Sequence, residues 1–316
     1  MSRQESAKFG TFGGVFTPSI LTIFGLIMFM RANYVVGNAG IFQALIILIL
    51  SSGITLLTAL SISAISSNTP VHGGGAYFLI SRVLGPGFGT AIGIALFLAQ
   101  ALSIPFYILG FTEALCNSFP TLWPWYKLIC IGTLVVLFVM TWIGTGGIIK
   151  IQYILLGLLI ISIIIFLIAA WTKYNPETFS TNLNPHYSSG ESIWTMFAIY
   201  FPAVTGIMAG VNMSGDLKNP KKSIPKGTLY AVIVGALVYG LQIVLCGGMA
   251  SSDELKEKPF LLLVETSNDL LTLGTVGVGF MVIVGVLLAT LSSALGSYLG
   301  APRVLQALGE IGRAHV

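Results

Sequence analysis

Charged side chains are so placed in this chain that eight long stretches carry none: residues 9–30, 32–81, 83–112, 128–149, 151–172, 192–215, 227–252 and 270–302. About 20 apolar residues cross the hydrocarbon core of a bilayer as an α-helix, and each stretch is long enough. The stretch 32–81 reads as one span, about Gly40 to Ser63, followed by a polar, Gly-rich loop. The expectation is an all-α polytopic membrane protein with eight transmembrane helices. Composition agrees, since 8% of the residues are charged and 55% hydrophobic, against roughly 25% charged in a soluble domain. A soluble fold would have to expose large apolar patches. Runs such as Ile46 to Leu50 and Ile161 to Ala170 lack the in-out alternation of a transmembrane β-barrel. The first apolar run is long, lacks a small-residue cleavage site and is followed by further spans, unlike a signal peptide.

Basic residues set the orientation. With a cytoplasmic N-terminus the inner segments hold Arg3, Lys8, Arg82, Lys150, Lys218, Lys221, Lys222, Lys226, Arg303 and Arg313, and the outer ones Arg31, Lys127, Lys173, Lys256 and Lys258. That is the bias of the positive-inside rule, strongest in the short loop from Lys218 to Lys226. The net charge of +4 then reflects topology, and the basic residues form no patch suited to nucleic acid. Cys116, Cys130 and Cys246 stand singly and read as small packing residues. His72, His186 and His315 lie in loops without partners in metal-ligand spacing. No resident metal centre, no cofactor and no enzyme activity are expected. The sequon at Asn212 falls at the inner end of a span, where it would not be glycosylated.

Glycine is abundant, at 37 residues. The pairs Gly89/Gly93, Gly206/Gly210 and Gly296/Gly300 read as close helix contacts. Two other places read as helix breaks. Pro18 precedes Gly25 in the first span, and Pro202 precedes Gly206 in the sixth. These spans are five helices apart, and an odd number of spans per unit inverts the second unit. Interrupted helices at corresponding places in two inverted halves mark a transporter's substrate site, although two Pro-kinked helices without function would give the same pattern. A break exposes unpaired N–H groups on one side and unpaired carbonyls on the other, suited to anions and cations respectively. The surroundings are neutral, with Thr22 and Thr205 near the breaks, Tyr107 on span three and Ser292-Ser293 on span eight. With no carboxylate at mid-membrane depth the chain is poorly suited to proton coupling. Hydroxyl and carbonyl oxygens suit sodium or potassium, which are hard cations.

At these residues the sequence resembles the cation-chloride cotransporters, of the amino acid-polyamine-organocation transporter class. The resemblance is carried by Asn68 to Leu84 (NTPVHGGGAYFLISRVL), Gly110 to Glu113 (GFTE), Phe197 to Leu217 (FAIYFPAVTGIMAGVNMSGDL), Ile224 to Thr228 (IPKGT) and Ala289 to Leu308 (ATLSSALGSYLGAPRVLQAL). It implies inverted five-helix repeats with broken first and sixth helices, carrying chloride with sodium, potassium or both. It further implies a potassium site of the Tyr107 and Thr205 hydroxyls with carbonyls of Thr22, Ile23 and Pro202. A sodium site would use the Ser292 and Ser293 side chains with carbonyls of Leu21, Phe24 and Ala289. Chloride would sit on the N–H groups of Gly25, Leu26 and Ile27, and on those of Gly206, Ile207 and Met208. Close sodium-potassium-chloride members have Asn where Thr22 stands and Trp where Phe24 stands, both at main-chain ligands. The paired serines and Tyr107 point to the sodium-potassium-chloride branch. Potassium-chloride symport, sodium-chloride symport, or an amino-acid or organic-cation permease of the same fold are the alternatives.

Arg31 and Glu113, charged positions in otherwise apolar runs near the outer face, are expected to pair as an outer gate, since each alone is costly there. The expected divisions are a cytoplasmic segment 1–10, a first repeat 11–172 with helices one to five, part of a second repeat 191–303 with helices six to eight, and an end 304–316. The resemblance fades near Gly309 and the tail Ile311 to Val316 reads as non-native, so the chain is expected to be a piece of a larger transporter that does not transport alone. Expected partners are membrane lipid and inorganic ions, with homodimerisation of the full-length protein left open and nucleic acid not expected. The plasma membrane is the expected location.

Overall fold

The computed structural model of the chain describes residues 9–69, 75–141, 145–270, 272–273 and 276–314. Arg3, Lys8, His72 and His315 lie outside the described residues, as do most of the segment 1–10 and the side chains of Lys150, Arg313 and the tail. Among the described residues, eight helices are long and apolar enough to cross a membrane. They are span 1, Phe12–Met30; span 2, Ala32–Asn68; span 3, Pro86–Ser118; span 4, Pro120–Met140; span 5, Ile151–Thr172; span 6, Ile193–Val211; span 7, Pro220–Met249; and span 8, Gly279–Glu310. "Outer" below denotes the end of the bundle that holds Arg31.

Several boundaries differ from the charge-free runs. Arg31 does not end the first crossing: helix resumes at Ala32 and the chain reverses only at Gly40, where φ is 69°. That left-handed value favours glycine, and a side chain at Gly40 would also collide with the Asn184 carbonyl. Residues 32–39 are therefore the outer end of the first crossing, and the second begins after Gly40 as the sequence suggests. The loop expected after span 2 contains the helix Gly75–Leu84, because Tyr77 and Leu79 find burial, Tyr77 against Val304 and Ala307 of span 8. The run from residue 270 does not start as a membrane helix. Thr272–Leu273 pairs antiparallel with Val276–Gly277, in the register Thr272 to Gly277 and Leu273 to Val276, and helix starts at Gly279. Glycine and β-branched residues are weak helix formers, which accounts for the late start. At the other end, Gly279–Ala314 is one helix with no division at residue 303.

Burial divides the spans by role. The first is the most enclosed of the eight, whereas few residues of spans 3 and 4 are fully buried. Leu102, Phe106, Leu128 and Val136 are exposed, which is stable where lipid is the solvent. Span 2 packs most extensively on span 7, and span 3 on span 8. Both pairings join helices five apart in the chain. Span 1 passes through the middle, so its break lies deep inside the protein.

Candidate ion-binding site

Span 1 is helical over Thr17–Ile23, opens at Phe24 (φ −80°, ψ 40°) and Gly25 (φ −86°, ψ −154°), and restarts at Leu26–Met30. Span 6 is helical over Ile193–Tyr200, tightens into a 3₁₀ turn at Phe201–Val204, opens at Thr205 (ψ 171°) and restarts at Met208–Val211. Pro202 starts that turn, and Gly206 supplies the φ of 126° that lets the chain leave it. Neither restarted segment has a side chain capping its N-terminus. Their first N–H groups and the positive end of each helix dipole are thus available to an anion.

The two breaks cross. A Cβ on Gly206 would lie 2.9 Å from Cγ2 of Thr22. One turn inward, a Cβ on Gly210 would lie 2.5 Å from the Val15 carbonyl oxygen, and the Ser19 hydroxyl donates to the Ile207 carbonyl at 3.3 Å. Gly206 and Gly210 thus both make the close helix contact expected of them, Gly206 serving the break as well, whereas Gly296 meets only Ala209 at an ordinary 4.0 Å.

Beside the crossing lies a cavity of about 160 Å³ lined by Thr22, Tyr107, Thr205, Gly206, Met208 and Ser293, with Leu96, Ala99, Gln100, Ser103, Ala209, Gly296 and Ser297 extending it inward. No lining side chain is ionisable apart from the Tyr107 phenol. The Thr205 hydroxyl donates to the Pro202 carbonyl at 2.8 Å, and the Thr22 hydroxyl to Pro18 at 2.9 Å. Each spends its proton on the main chain and keeps its lone pairs for a further partner. The Ser292 and Ser293 hydroxyls are buried and have no hydrogen-bond partner among the described residues. Leaving such groups unsatisfied costs about 1–3 kcal/mol each, an arrangement expected where a cation completes the site. Ser293 Oγ would be 3.4 Å from a Cβ on Gly25, so the orphaned pair adjoins the break in span 1.

Tyr107, Thr205, Thr22 and Ser293 therefore come together around one space, and Ser292 is buried next to them in sequence. Leu21, Ile23, Phe24, Pro202 and Ala289, named for their carbonyls, do not line the cavity with side chains, and the Ile23 carbonyl accepts a hydrogen bond from Tyr239 at 2.8 Å. Gly25, Leu26, Ile27 and Ile207 belong to the broken segments themselves. Sequence reasoning passed over Gln100 and Ser103 on span 3 and Ser297 on span 8. Gln100, Ser103 and Tyr107 recur at helical spacing on one face, as do Ser293 and Ser297, a polar stripe that could have been found.

Arg31 and Glu113 pair at the outer end, one guanidinium nitrogen meeting both carboxylate oxygens at 2.9 and 3.0 Å. A cavity of about 460 Å³ lies on that ion pair and not on the breaks. Tyr34, Asn117, Lys256 and Lys258 also line this outer vestibule. Lys256 is paired with Asp253, and its hydrogen bond holds that carboxyl below the ordinary carboxylate range.

A sequence profile described as amino acid permease matches residues 14–314. The chain belongs to the amino acid permease family. Within this transporter family the resemblance to the cation-chloride cotransporters stands. Solute carrier family 12 member 8 of Mus musculus is 33% identical, over 97% of this chain and 43% of its own length. Solute carrier family 12 member 2 of Squalus acanthias is 35% identical over 95% of this chain and 29% of its own length, and member 1 of Homo sapiens 34% identical over 95% and 32%. The chain thus spans less than half the length of these relatives. Such similar identities to several members do not separate the branches of the group. Membership and the apolar spans make this an integral membrane protein of a transporter family.

Proposed function

We propose that the full-length protein is a secondary active symporter that couples chloride to sodium and potassium in electroneutral cation-chloride cotransport, with its N-terminus in the cytoplasm and the plasma membrane as its location. The observation that carries this reading is the uncharged cavity at the crossing of two broken helices, ringed by the oxygens of Thr22, Tyr107, Thr205 and Ser293. Its volume of about 160 Å³ is below the roughly 300–1,000 Å³ of sites for drug-sized ligands and ample for partly dehydrated inorganic ions.

A lone cation entering such a low-dielectric space would lose its hydration without a countercharge. Chloride bound on the N–H groups of the restarted segments, at Gly25 to Ile27 and Gly206 to Met208, supplies one within a few ångströms. Each ion then makes the others' binding favourable, which is the physical origin of coupling. Potassium is assigned to Tyr107, Thr205 and the carbonyls of Thr22, Ile23 and Pro202. Sodium is assigned to Ser292, Ser293 and the carbonyls of Leu21, Phe24 and Ala289, and the orphaned serine hydroxyls support that second site. Arg31 and Glu113 close the outer path while ions are exchanged on the inner side.

The test is rubidium uptake by cells expressing the full-length protein, with sodium and chloride omitted in turn. Uptake should fall to background in both cases. Persistence without sodium would favour potassium-chloride symport. Persistence without either, or a current carried by rubidium, would overturn cotransport in favour of a permease or a channel.

A further inference from the structure

The break in span 1 is gripped from outside the cavity by one face of span 7. Gly235, Tyr239 and Gln242 follow one another at four- and three-residue spacing, so they lie on one side of that helix. At Gly235 a Cβ would come within 2.7 Å of Cγ2 of Ile23, so only glycine lets the two helices approach this closely. One turn further, the Tyr239 hydroxyl donates to the Ile23 carbonyl at 2.8 Å. Beyond it, the Gln242 amide donates to the Met28 carbonyl at 2.8 Å. Both side chains are fully buried. The two acceptors stand on opposite sides of the opening at Phe24 and Gly25. Tyr239 is held in place by Tyr200 and Phe24, whose rings lie 5.7 and 6.4 Å from its own.

We propose that Tyr239 and Gln242 are positioning residues for the cation site: span 7 holds the main chain of span 1 on both sides of its break, and Tyr239 orients the Ile23 carbonyl and takes up one of its lone pairs. The inference rests on the reading that a cation is bound at this break. A helix end that lacks its next turn leaves carbonyls without partners, and free carbonyls reorient to follow whatever ion enters. A carbonyl that already accepts a phenol proton is fixed in direction, and ligands fixed in position favour an ion of one size over its neighbours. Neither residue touches the ion; each acts through main-chain oxygens. Among the described residues the Gln242 amide oxygen has no hydrogen-bond partner, so the bond to Met28 is the one its amide makes there.

The experiment measures chloride-dependent uptake of rubidium and of caesium by the full-length protein in cells, with surface amount determined in parallel. Tyr239→Phe keeps the ring and removes the hydroxyl. The half-saturating rubidium concentration should rise about fivefold, the equivalent of one hydrogen bond of about 1 kcal/mol. The ratio of caesium to rubidium half-saturation should move toward one, and maximal uptake per surface transporter should change less than twofold. Tyr200→Phe is the control, because the Tyr200 hydroxyl has no partner among the described residues, and it should leave the ratio unchanged. If Tyr239→Phe does not reach the surface, Gln242→Met decides, with the same shift in ratio at smaller size. An unchanged ratio in the variant that is measured, or a loss confined to maximal uptake, overturns the proposal. Absence of chloride-dependent rubidium uptake in the unaltered protein would instead overturn the functional reading itself.

Discussion

Thr205 and Ser292 show how one side chain's hydrogen bonding assigns it a place. The proton of Thr205 is committed to the Pro202 carbonyl and its oxygen is left to the cavity, whereas Ser292 is buried with no partner among the described residues. Thr205→Ala should therefore raise the half-saturating rubidium concentration about fivefold and leave that for sodium nearly unchanged, and Ser292→Ala should do the reverse, each change being about one hydrogen-bond equivalent. Ion-dependence curves for the two variants check this, and equal losses for both ions would mean that the residues only pack. At the outer end Arg31→Glu or Glu113→Arg leaves two like charges at close range. Each single reversal should abolish uptake and the double reversal should restore a substantial part of it. No recovery would separate the ion pair from transport. The types of these residues were legible in the sequence, where charges are rare in apolar runs and the hydroxyls of Thr205 and Ser292 stand within them. Which hydroxyls lack partners was not, because satisfaction depends on carbonyls and amides distant in the chain.

At the scale of elements, a break needs both a reason to stop and a conformation that lets the chain continue. In span 6 Pro202 opens a 3₁₀ turn and Gly206, at φ 126°, turns the chain across Thr22. Gly206→Ala meets two obstacles, a backbone region that L-residues avoid and a Cβ 2.9 Å from Thr22. It should destabilise the protein by more than about 1 kcal/mol and lower its unfolding temperature in detergent, with loss of rubidium uptake. Unaltered melting would show that the break can adopt another geometry. Pro-then-Gly placed both breaks correctly from sequence, since the two residue types act locally. The end of the first crossing was misplaced at Arg31 because charge was used as the marker. The ion pair with Glu113 lets a charged residue sit within the crossing, and the Gly40 reversal is set by contact with residues 182–184, a loop almost the length of the repeat away.

Across the whole molecule, an ion pair lies at each end of the bundle. Arg31 and Glu113 join spans 1 and 3 at the outer end. At the inner end Arg303 of span 8 reaches Asp216, just beyond span 6, at 2.9 Å and the Asn212 carbonyl at 2.9 Å. Spans 6 and 8 follow spans 1 and 3 by five helices each, and the polarity of the pair is reversed. Arg303→Gln removes the inner link, so a cysteine placed at Ser297 on the inward extension of the cavity should react at least twice as fast with a membrane-impermeant thiol reagent applied from the inner side. Equal rates would show that this pair does not restrict access.

Sequence by itself determined that the chain spans a membrane through eight apolar helices, where the first and sixth break, and which residues could offer neutral oxygen ligands. Those properties follow from solvent transfer, backbone freedom at Gly and Pro, and side-chain chemistry, all of which act at or near the residue that carries them. Only the tertiary structure decided that the breaks cross, that Tyr107, Thr205, Thr22 and Ser293 share one cavity, and that span 7 holds span 1 open through Tyr239 and Gln242. Those are distances between helices up to some 270 residues apart along the chain, set by which glycines permit close approach and which buried polar groups need each other, and no local pattern encodes them.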